Sequence, residues 1–133
     1  MWTLAKSAIK YHVKHSIQHM ILHVTNICNL RCKTCFVEFA KKPADLTLDE
    51  FQKLHDEVGP VSMMNFSGGE PFIRKDLVEI TRVFSDSDVL AIPTNGWWTD
   101  RIYSNVNEIL EHRDPSTFTL IFSLDGFIHY IYR

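Results

Sequence analysis

The sequence predicts an α/β fold built on a parallel sheet, and three observations support this prediction. Short apolar segments that are typical of buried strands alternate with amphipathic segments that are typical of helices. The alternation occurs four times, which is the pattern of β/α units joined by right-handed crossovers. A group of small or polar residues follows each predicted strand. In α/β barrels and doubly wound sheets, such groups meet at the carboxyl edge of the sheet and form the active site.

The amino-terminal part of the chain is predicted to be a helix followed by a strand. Apolar residues recur at helical spacing over residues 2–13, so an amphipathic helix is expected there. Over residues 18–25 the pattern changes to a short apolar run, which is typical of a strand. We therefore divide the chain into a helical extension, residues 1–17, and an α/β domain, residues 18–133.

The first helix of the α/β domain is predicted from its end signals. Thr47 and Glu50 have the spacing of a capping box, which marks a helix start. Gly59-Pro60 marks its end, because proline cannot continue a helix. The apolar run 61–66 then predicts the second strand.

The same reasoning predicts the remaining elements. Asp76 and Glu79 repeat the capping pattern before the second helix of the domain. Residues 89–92 predict the third strand, and Thr99 is expected to cap the helix that follows. Residues 117–124 are rich in β-branched and aromatic side chains and predict the fourth strand.

Composition excludes several classes of function. The 133 residues are 45% hydrophobic and 23% charged, as in an ordinary globular protein. Fourteen basic residues stand against sixteen acidic ones without a basic block, so neither nucleic acid nor an anionic membrane is expected as a partner. The longest apolar runs are too short to cross a bilayer, and the amino terminus does not resemble a signal peptide. A cytoplasmic location is therefore expected.

All three cysteines lie within eight residues, at Cys28, Cys32 and Cys35. Thiolates are soft ligands that favour iron–sulfur clusters and zinc. Three protein ligands leave one metal position open for chemistry, whereas a closed structural zinc site needs four. Two other interpretations remain: a zinc site completed by a histidine such as His23, or three buried cysteines that act as small apolar residues.

The spacing C-x3-C-x2-C, followed in order by Ser67-Gly68-Gly69-Glu70-Pro71, Thr94-Asn95-Gly96 and Ser123-Leu124-Asp125-Gly126, closely resembles the radical SAM superfamily of enzymes. The resemblance covers about residues 18–126 and implies a partial (β/α) barrel with four of the family's six units present. It further implies a [4Fe–4S] cluster on the three cysteines, with S-adenosylmethionine (SAM) on the fourth iron. Reductive cleavage of SAM gives a 5′-deoxyadenosyl radical, which abstracts hydrogen from a substrate.

The resemblance also implies which residues surround SAM. Gly68, Gly69 and Glu70 correspond to the segment that binds its amino group, while Asn95, Ser123 and Asp125 correspond to groups near its ribose or carboxylate. The family usually has an aromatic residue before the last cysteine that packs on adenine. Thr34 occupies that position here and Phe36 follows one residue after the cysteine, so both are candidate adenine contacts. No residue is assigned a catalytic role.

The motifs are most similar to the SPASM/MoaA-like branch, whose members act on peptides, enzymes or cofactor precursors. A small-molecule or peptide substrate is thus implied, with an external electron donor such as flavodoxin or ferredoxin. The fourth predicted strand leaves an apolar edge, so we expect a fragment or one half of a split enzyme. An inactive or split fragment that acts as an iron–sulfur-binding module is the alternative function, and a zinc-binding protein is a third.

Overall fold

The computed structural model describes residues 17–35, 37 and 45–124. The predicted helix over residues 2–13 lies outside these residues. The described part alternates strands with helices: β1 (His19–Thr25), α1 (Leu48–Val58), β2 (Met63–Gly68), α2 (Leu77–Val83), β3 (Val89–Thr94), α3 (Thr99–Leu110) and β4 (Phe118–Phe122). Short 3-10 helices precede α2 and β4, at Pro71–Ile73 and Pro115–Thr117.

The strands form one parallel sheet in the order β1-β2-β3-β4. A doubly wound sheet reverses its strand order near the middle, so that helices cover both faces. Here every crossover steps to the same side, and right-handed crossovers of that kind place their helices on one face. The strand order thus confirms the prediction of a partial barrel and excludes a doubly wound sheet for the described strands.

The two faces of the sheet differ in burial. Alternate side chains of the two central strands pack against the helices and form a fully buried core with Phe51, Ile80 and Ile109; they are Met64, Phe66, Leu90 and Ile92. On the opposite face, Ile21 is 61% exposed and Ile121 is 42% exposed. The apolar residues Ile21 and Ile121 of the two edge strands therefore remain accessible on this face, as expected for the inner wall of an incomplete barrel.

The predicted boundaries need small corrections. β2 runs from Met63 to Gly68, two residues later than the predicted strand 61–66. Its pairing with β1 extends through Ser67 into Gly68. The first part of residues 67–71, which we call the glycine segment, therefore belongs to the strand. β4 covers Phe118–Phe122, whereas the predicted strand covers residues 117–124.

One predicted capping interaction is confirmed and two are not formed, although Asp76 is the N-cap residue of α2. Thr47 and Glu50 form the expected capping box: the Glu50 N–H donates to Thr47 Oγ1 at 3.3 Å, and the Thr47 N–H donates to Glu50 Oε2 at 2.8 Å. Asp76 makes no capping hydrogen bond, because its carboxylate binds Arg74 instead. Thr99 is already the first residue of α3, and no side chain caps that helix.

The register between β1 and β2 shifts once, at the carboxyl end of β1. His23 pairs with Ser67, but the next pair joins Thr25 to Gly68, so that β1 carries an extra residue as in a β-bulge.

At the other side of the sheet β4 pairs with β3, and nearby Phe122 and Leu124 are 54% and 88% exposed. Among the residues described, no helix is long and apolar enough to span a membrane.

Candidate functional site

The segment that holds the cysteines leaves the carboxyl end of β1, and we call residues 26–35 the cysteine loop. None of its three cysteines is in a disulfide; Cys28 and Cys32 are half-buried and Cys35 is exposed. The Cys35 N–H donates to the Cys32 carbonyl at 3.1 Å, which closes a turn between the last two cysteines. Arg31 Nη1 donates to the carbonyls of Cys28 and Leu30, at 2.7 Å each.

The donor set fits an iron–sulfur cluster in number and chemistry, since three unoxidised sulfur donors lie on one short loop. In the part of the chain that the structure describes, no group of three or more His, Cys, Asp or Glu side chains is arranged to hold a metal ion. The three thiols therefore share one loop without meeting at a common point. A cluster bound by all three cysteines would require the cysteine loop to bring their sulfurs together.

The glycine segment begins at the end of β2, and it is bound to the end of β1 and to the cysteine loop. The Gly69 N–H donates to the Thr25 carbonyl at 2.8 Å, and the Glu70 N–H donates to the Ile27 carbonyl at 2.9 Å. A Cβ at Gly69 would collide with the Ile27 carbonyl oxygen, and one at Gly68 with that of Thr25. Gly68 also has a φ of 135°, which favours glycine. Gly68 is thus required by the close approach of the end of β1, and Gly69 by that of the cysteine loop.

Glu70 is almost fully buried, at 1% exposure, and its carboxylate is bound by the protein itself. Oε1 accepts from Thr94 Oγ1 at 2.9 Å and from the Phe72 N–H at 3.2 Å. Oε2 accepts from the Asn95 N–H at 2.8 Å. The carboxylate therefore joins the exit of β2 to the exit of β3, and three of its acceptor positions are already used.

Asn95 extends this connection to the cysteine loop. Its Nδ2 donates to Asn29 Oδ1 at 2.9 Å and lies 3.9 Å from Cys28 Sγ. Its Oδ1 accepts from the Trp97 N–H at 2.9 Å. The Leu30 N–H also donates to Cys28 Sγ, at 3.4 Å. The end of β3 and the loop itself thus both direct N–H groups at this sulfur.

The start of the cysteine loop is fixed by Asp45, which comes from the segment before α1. Its carboxylate accepts from Thr25 Oγ1 at 2.5 Å and from the Asn26 N–H at 3.0 Å. Thr25 Oγ1 in turn accepts from the Ile27 N–H at 3.0 Å. Two polar side chains therefore bind the first backbone amides of the loop.

Arg74 holds the end of β1 from the other side. Nη1 donates to the Val24 carbonyl at 2.7 Å, Nη2 donates to the Leu46 carbonyl at 3.0 Å, and the guanidinium lies 5.3 Å from the centre of the Phe51 ring. Asp76 orients the guanidinium through two bonds, at 2.8 Å and 2.6 Å. Hydrogen bonding to Arg74 holds the pKa of Asp76 below its usual value.

The remaining predicted site residues are less engaged. Ser123 contributes its N–H to the Thr94 carbonyl at 2.9 Å, and its side chain is exposed. Thr34 is also exposed on the cysteine loop. Phe36 and Asp125 lie outside the described residues.

Three residues that organise the site are not evident from the sequence: Asp45, Arg74 and Asn29. In the sequence, Asp45 and Asn29 resemble ordinary loop residues, although a carboxylate or amide beside a metal-ligand motif is a signal for hydrogen bonding to the loop backbone. Arg74 and Asp76 are two residues apart, and their pairing competes with the capping pattern that the sequence suggests. Only the fold brings Arg74 to the end of β1.

Comparison with known proteins identifies relatives of one family. The family model of the radical SAM superfamily matches residues 22–126 of the sequence. A PqqA peptide cyclase of Bradyrhizobium diazoefficiens is 39% identical over 71 residues, which are 50% of this chain and 19% of the relative. A GTP 3′,8-cyclase of Haemophilus influenzae is 30% identical over 127 residues, covering 82% of this chain and 37% of the relative.

Solved structures with a similar fold include SuiB of Streptococcus suis. The structure bound to the precursor peptide SuiA has a TM-score of 0.63 at 19% identity and covers 92% of this chain and 27% of that protein. The structure bound to S-adenosylmethionine has a TM-score of 0.60 at 19% identity, covering 90% and 27%. The chain thus spans less than two fifths of the length of each of these proteins.

The close contact at Gly69 leads to a first prediction. In Gly69→Ala, the added Cβ collides with the Ile27 carbonyl and displaces the cysteine loop. Trypsin should then cleave after Arg31 and Lys33 several-fold faster than in the unaltered chain, as followed by mass spectrometry. The matched control is Gly59→Ala, which strains a left-handed backbone (φ 71°) at the end of α1, although its Cβ meets nothing within 4 Å. It therefore reports backbone strain without a collision at the cysteine loop. Equal cleavage rates in the two variants would contradict the proposed docking contact.

The pairing of Asp76 with Arg74 leads to a prediction about pH. Because the pKa of Asp76 in the folded chain is lowered from 3.8, its ionised form stabilises the fold above that pH, and this contribution is lost as pH falls through the lowered value. Asp76→Asn should reduce the free energy of unfolding at pH 7 by up to about 1 kcal/mol. In urea titrations the difference from the unaltered chain should shrink below pH 3.8.

The control for this prediction is Glu57→Gln, at an exposed position of α1. It should change the free energy of unfolding by less than about 0.5 kcal/mol. A difference between Asp76→Asn and the unaltered chain that does not vary with pH would argue against ionisation of Asp76 as its cause.

Proposed function

The chain belongs to the radical SAM superfamily of enzymes, and on this basis we propose that its cysteine loop binds a [4Fe–4S] cluster and that SAM binds beside it. The family and its SAM-bound structural neighbour imply both groups. When bound, the cluster supplies one electron that cleaves SAM into methionine and a 5′-deoxyadenosyl radical, which then takes a hydrogen atom from a substrate. The residues of this chain bind, orient and enclose these groups.

Cys28, Cys32 and Cys35 are the proposed ligands. The observation that carries the proposal is that the glycine segment is hydrogen-bonded to the end of β1, through Gly69 to Thr25, and to the cysteine loop itself, through Glu70 to Ile27. Two signatures that lie far apart in the sequence thereby form one surface at the carboxyl edge of the sheet. This is the edge at which α/β barrels carry their active sites.

The same surface is the proposed binding site for SAM. Gly68 and Gly69 remain the proposed contacts to its amino group. Since the backbone of Thr25 and Ile27 occupies the Cβ side of both glycines, the amino group would approach from the opposite side. The Glu70 carboxylate keeps acceptor capacity beyond its three protein donors, and charge favours an ammonium partner there. Ser123 and Asp125 remain proposed contacts to the ribose or carboxylate, and Thr34 and Phe36 to adenine.

The substrate is proposed to be a peptide or a small molecule. A peptide is favoured by the similarity to PqqA peptide cyclase and to a protein bound to a precursor peptide. The exposed inner face of the sheet, with Ile21 and Ile121, offers apolar surface below the cofactor edge. We also propose an external electron donor such as flavodoxin or ferredoxin. A cytoplasmic location is proposed because cysteines outside any disulfide suit a reducing compartment.

The test is anaerobic reconstitution of the full 133-residue chain with iron and sulfide. We expect about four iron atoms per chain, with visible sulfur-to-iron absorption. Addition of SAM and a strong reductant should release 5′-deoxyadenosine. Cys32→Ala should lose both properties, whereas Lys53→Ala, at an exposed position of α1, should retain them.

The other outcomes separate the alternatives. A stable cluster without release of 5′-deoxyadenosine would favour the iron–sulfur-binding module. Uptake of one zinc ion in place of iron would support the zinc-binding interpretation and reject the proposed enzyme. No metal uptake at all would show that the cysteine loop does not close around a cluster.

A further inference from the structure

The geometry points to Asn95 as a positioning residue that donates a hydrogen bond to the Cys28 sulfur and so raises the reduction potential of the cluster. This inference rests on the proposed function and deepens it, because it concerns the control of the same cluster. It gives Asn95 a role toward the cysteine loop, where sequence analysis expected a contact to SAM.

The orientation of the Asn95 carboxamide is determined by its neighbours. A backbone N–H can only donate, so the Asn95 atom that lies 2.9 Å from the Trp97 N–H must be the oxygen. The nitrogen is then directed at the cysteine loop. Since Nδ2 can only donate, the Asn29 atom that faces it at 2.9 Å is the oxygen Oδ1.

The Asn95 Nδ2 group has two hydrogens, and the structure offers it two acceptors. One is Asn29 Oδ1, and the other is Cys28 Sγ at 3.9 Å, a long contact that suits the larger sulfur atom. The Leu30 N–H reaches the same sulfur at 3.4 Å. Two N–H groups that converge on one thiolate stabilise negative charge on it.

The Asn95 donor is held by the sheet. Its own N–H is bound at 2.8 Å by Glu70, which is buried and also receives the hydroxyl of Thr94. When the cysteine loop closes around a cluster, Asn95 therefore keeps its place at the end of β3. Its amide is thereby held next to the residue whose sulfur it contacts at 3.9 Å.

The consequence for the cluster follows from charge. Reduction adds one negative charge, and hydrogen bonds to the ligand sulfurs stabilise the reduced form more than the oxidised form. Loss of the Asn95 donor should make the reduction potential more negative. We expect a change of up to about tenfold in the one-electron equilibrium, which corresponds to roughly 59 mV.

Asn95→Asp is the informative variant, because the chain offers a way to keep the contact with the loop. Asn29 Nδ2 is buried and has no partner. If the Asn29 amide rotates by half a turn, this nitrogen donates to the new carboxylate, and the same carboxylate still accepts from the Trp97 N–H. The connection to the cysteine loop is thereby retained, but no side-chain donor remains for the sulfur.

Asn29→Asp is the control for the effect of the added negative charge on the reduction potential. This variant places a carboxylate on the other side of the same contact, while Asn95 keeps its donor for both the carboxylate and the sulfur. Asn95→Ala serves as a second variant that removes the donor without adding charge.

The experiment is a redox titration, followed by electron paramagnetic resonance, of the reconstituted full chain and the three variants. The inference predicts that the reduction potential of each variant is lower than that of the unaltered chain. The fall should be larger in Asn95→Asp than in Asn29→Asp, and it should also be measurable in Asn95→Ala. Equal shifts in the two charged variants, or an unchanged potential in Asn95→Ala, would overturn it. Loss of the cluster in both Asn95 variants, with retention in Asn29→Asp, would show a structural role only and would also overturn it.

The result is separable from that of the proposed function. If the unaltered chain takes up no iron, the proposed function fails and the inference falls with it. If the unaltered chain binds a cluster and releases 5′-deoxyadenosine while the potentials do not differ, only the role of Asn95 is rejected.

Discussion

The buried carboxylate of Glu70 is the interaction on which the arrangement of the site depends. A bare carboxylate at 1% exposure is costly, because burial removes the hydration that stabilises its charge. Three donors from Phe72, Thr94 and Asn95 replace that hydration. Since the Glu70 N–H also binds the cysteine loop at Ile27, one residue fixes the positions of three successive β/α units relative to one another.

Much of the fold was predictable because its signals are local. The capping box at Thr47 and Glu50 is complete within four residues, and the alternation of strands and helices needs no knowledge of distant contacts. The capping interaction expected at Asp76 is not formed, for the opposite reason. Its carboxylate prefers Arg74, and Arg74 is itself oriented by contacts to Val24 and Leu46 that exist only in the folded chain.

The site was predictable in its membership but less so in its contacts. The motifs correctly indicate that the cysteines and the glycine segment lie at the carboxyl edge of the sheet, because every strand in a parallel sheet ends there. The motifs predict that Gly68 and Gly69 bind a cofactor, but they do not reveal that the backbone of Thr25 and Ile27 occupies the space on the Cβ side of both glycines. A contact between two loops cannot be read from either loop alone.

The extra residue at the end of β1 has an evolutionary consequence. The register shift lies between His23 and Thr25, after the part of β1 that pairs regularly with β2 and before the cysteines. Such an irregularity absorbs a change in length locally, so that upstream side chains keep their faces. Cysteine loops of different length can therefore be accommodated at this junction during divergence, while the hydrophobic core beneath keeps its register.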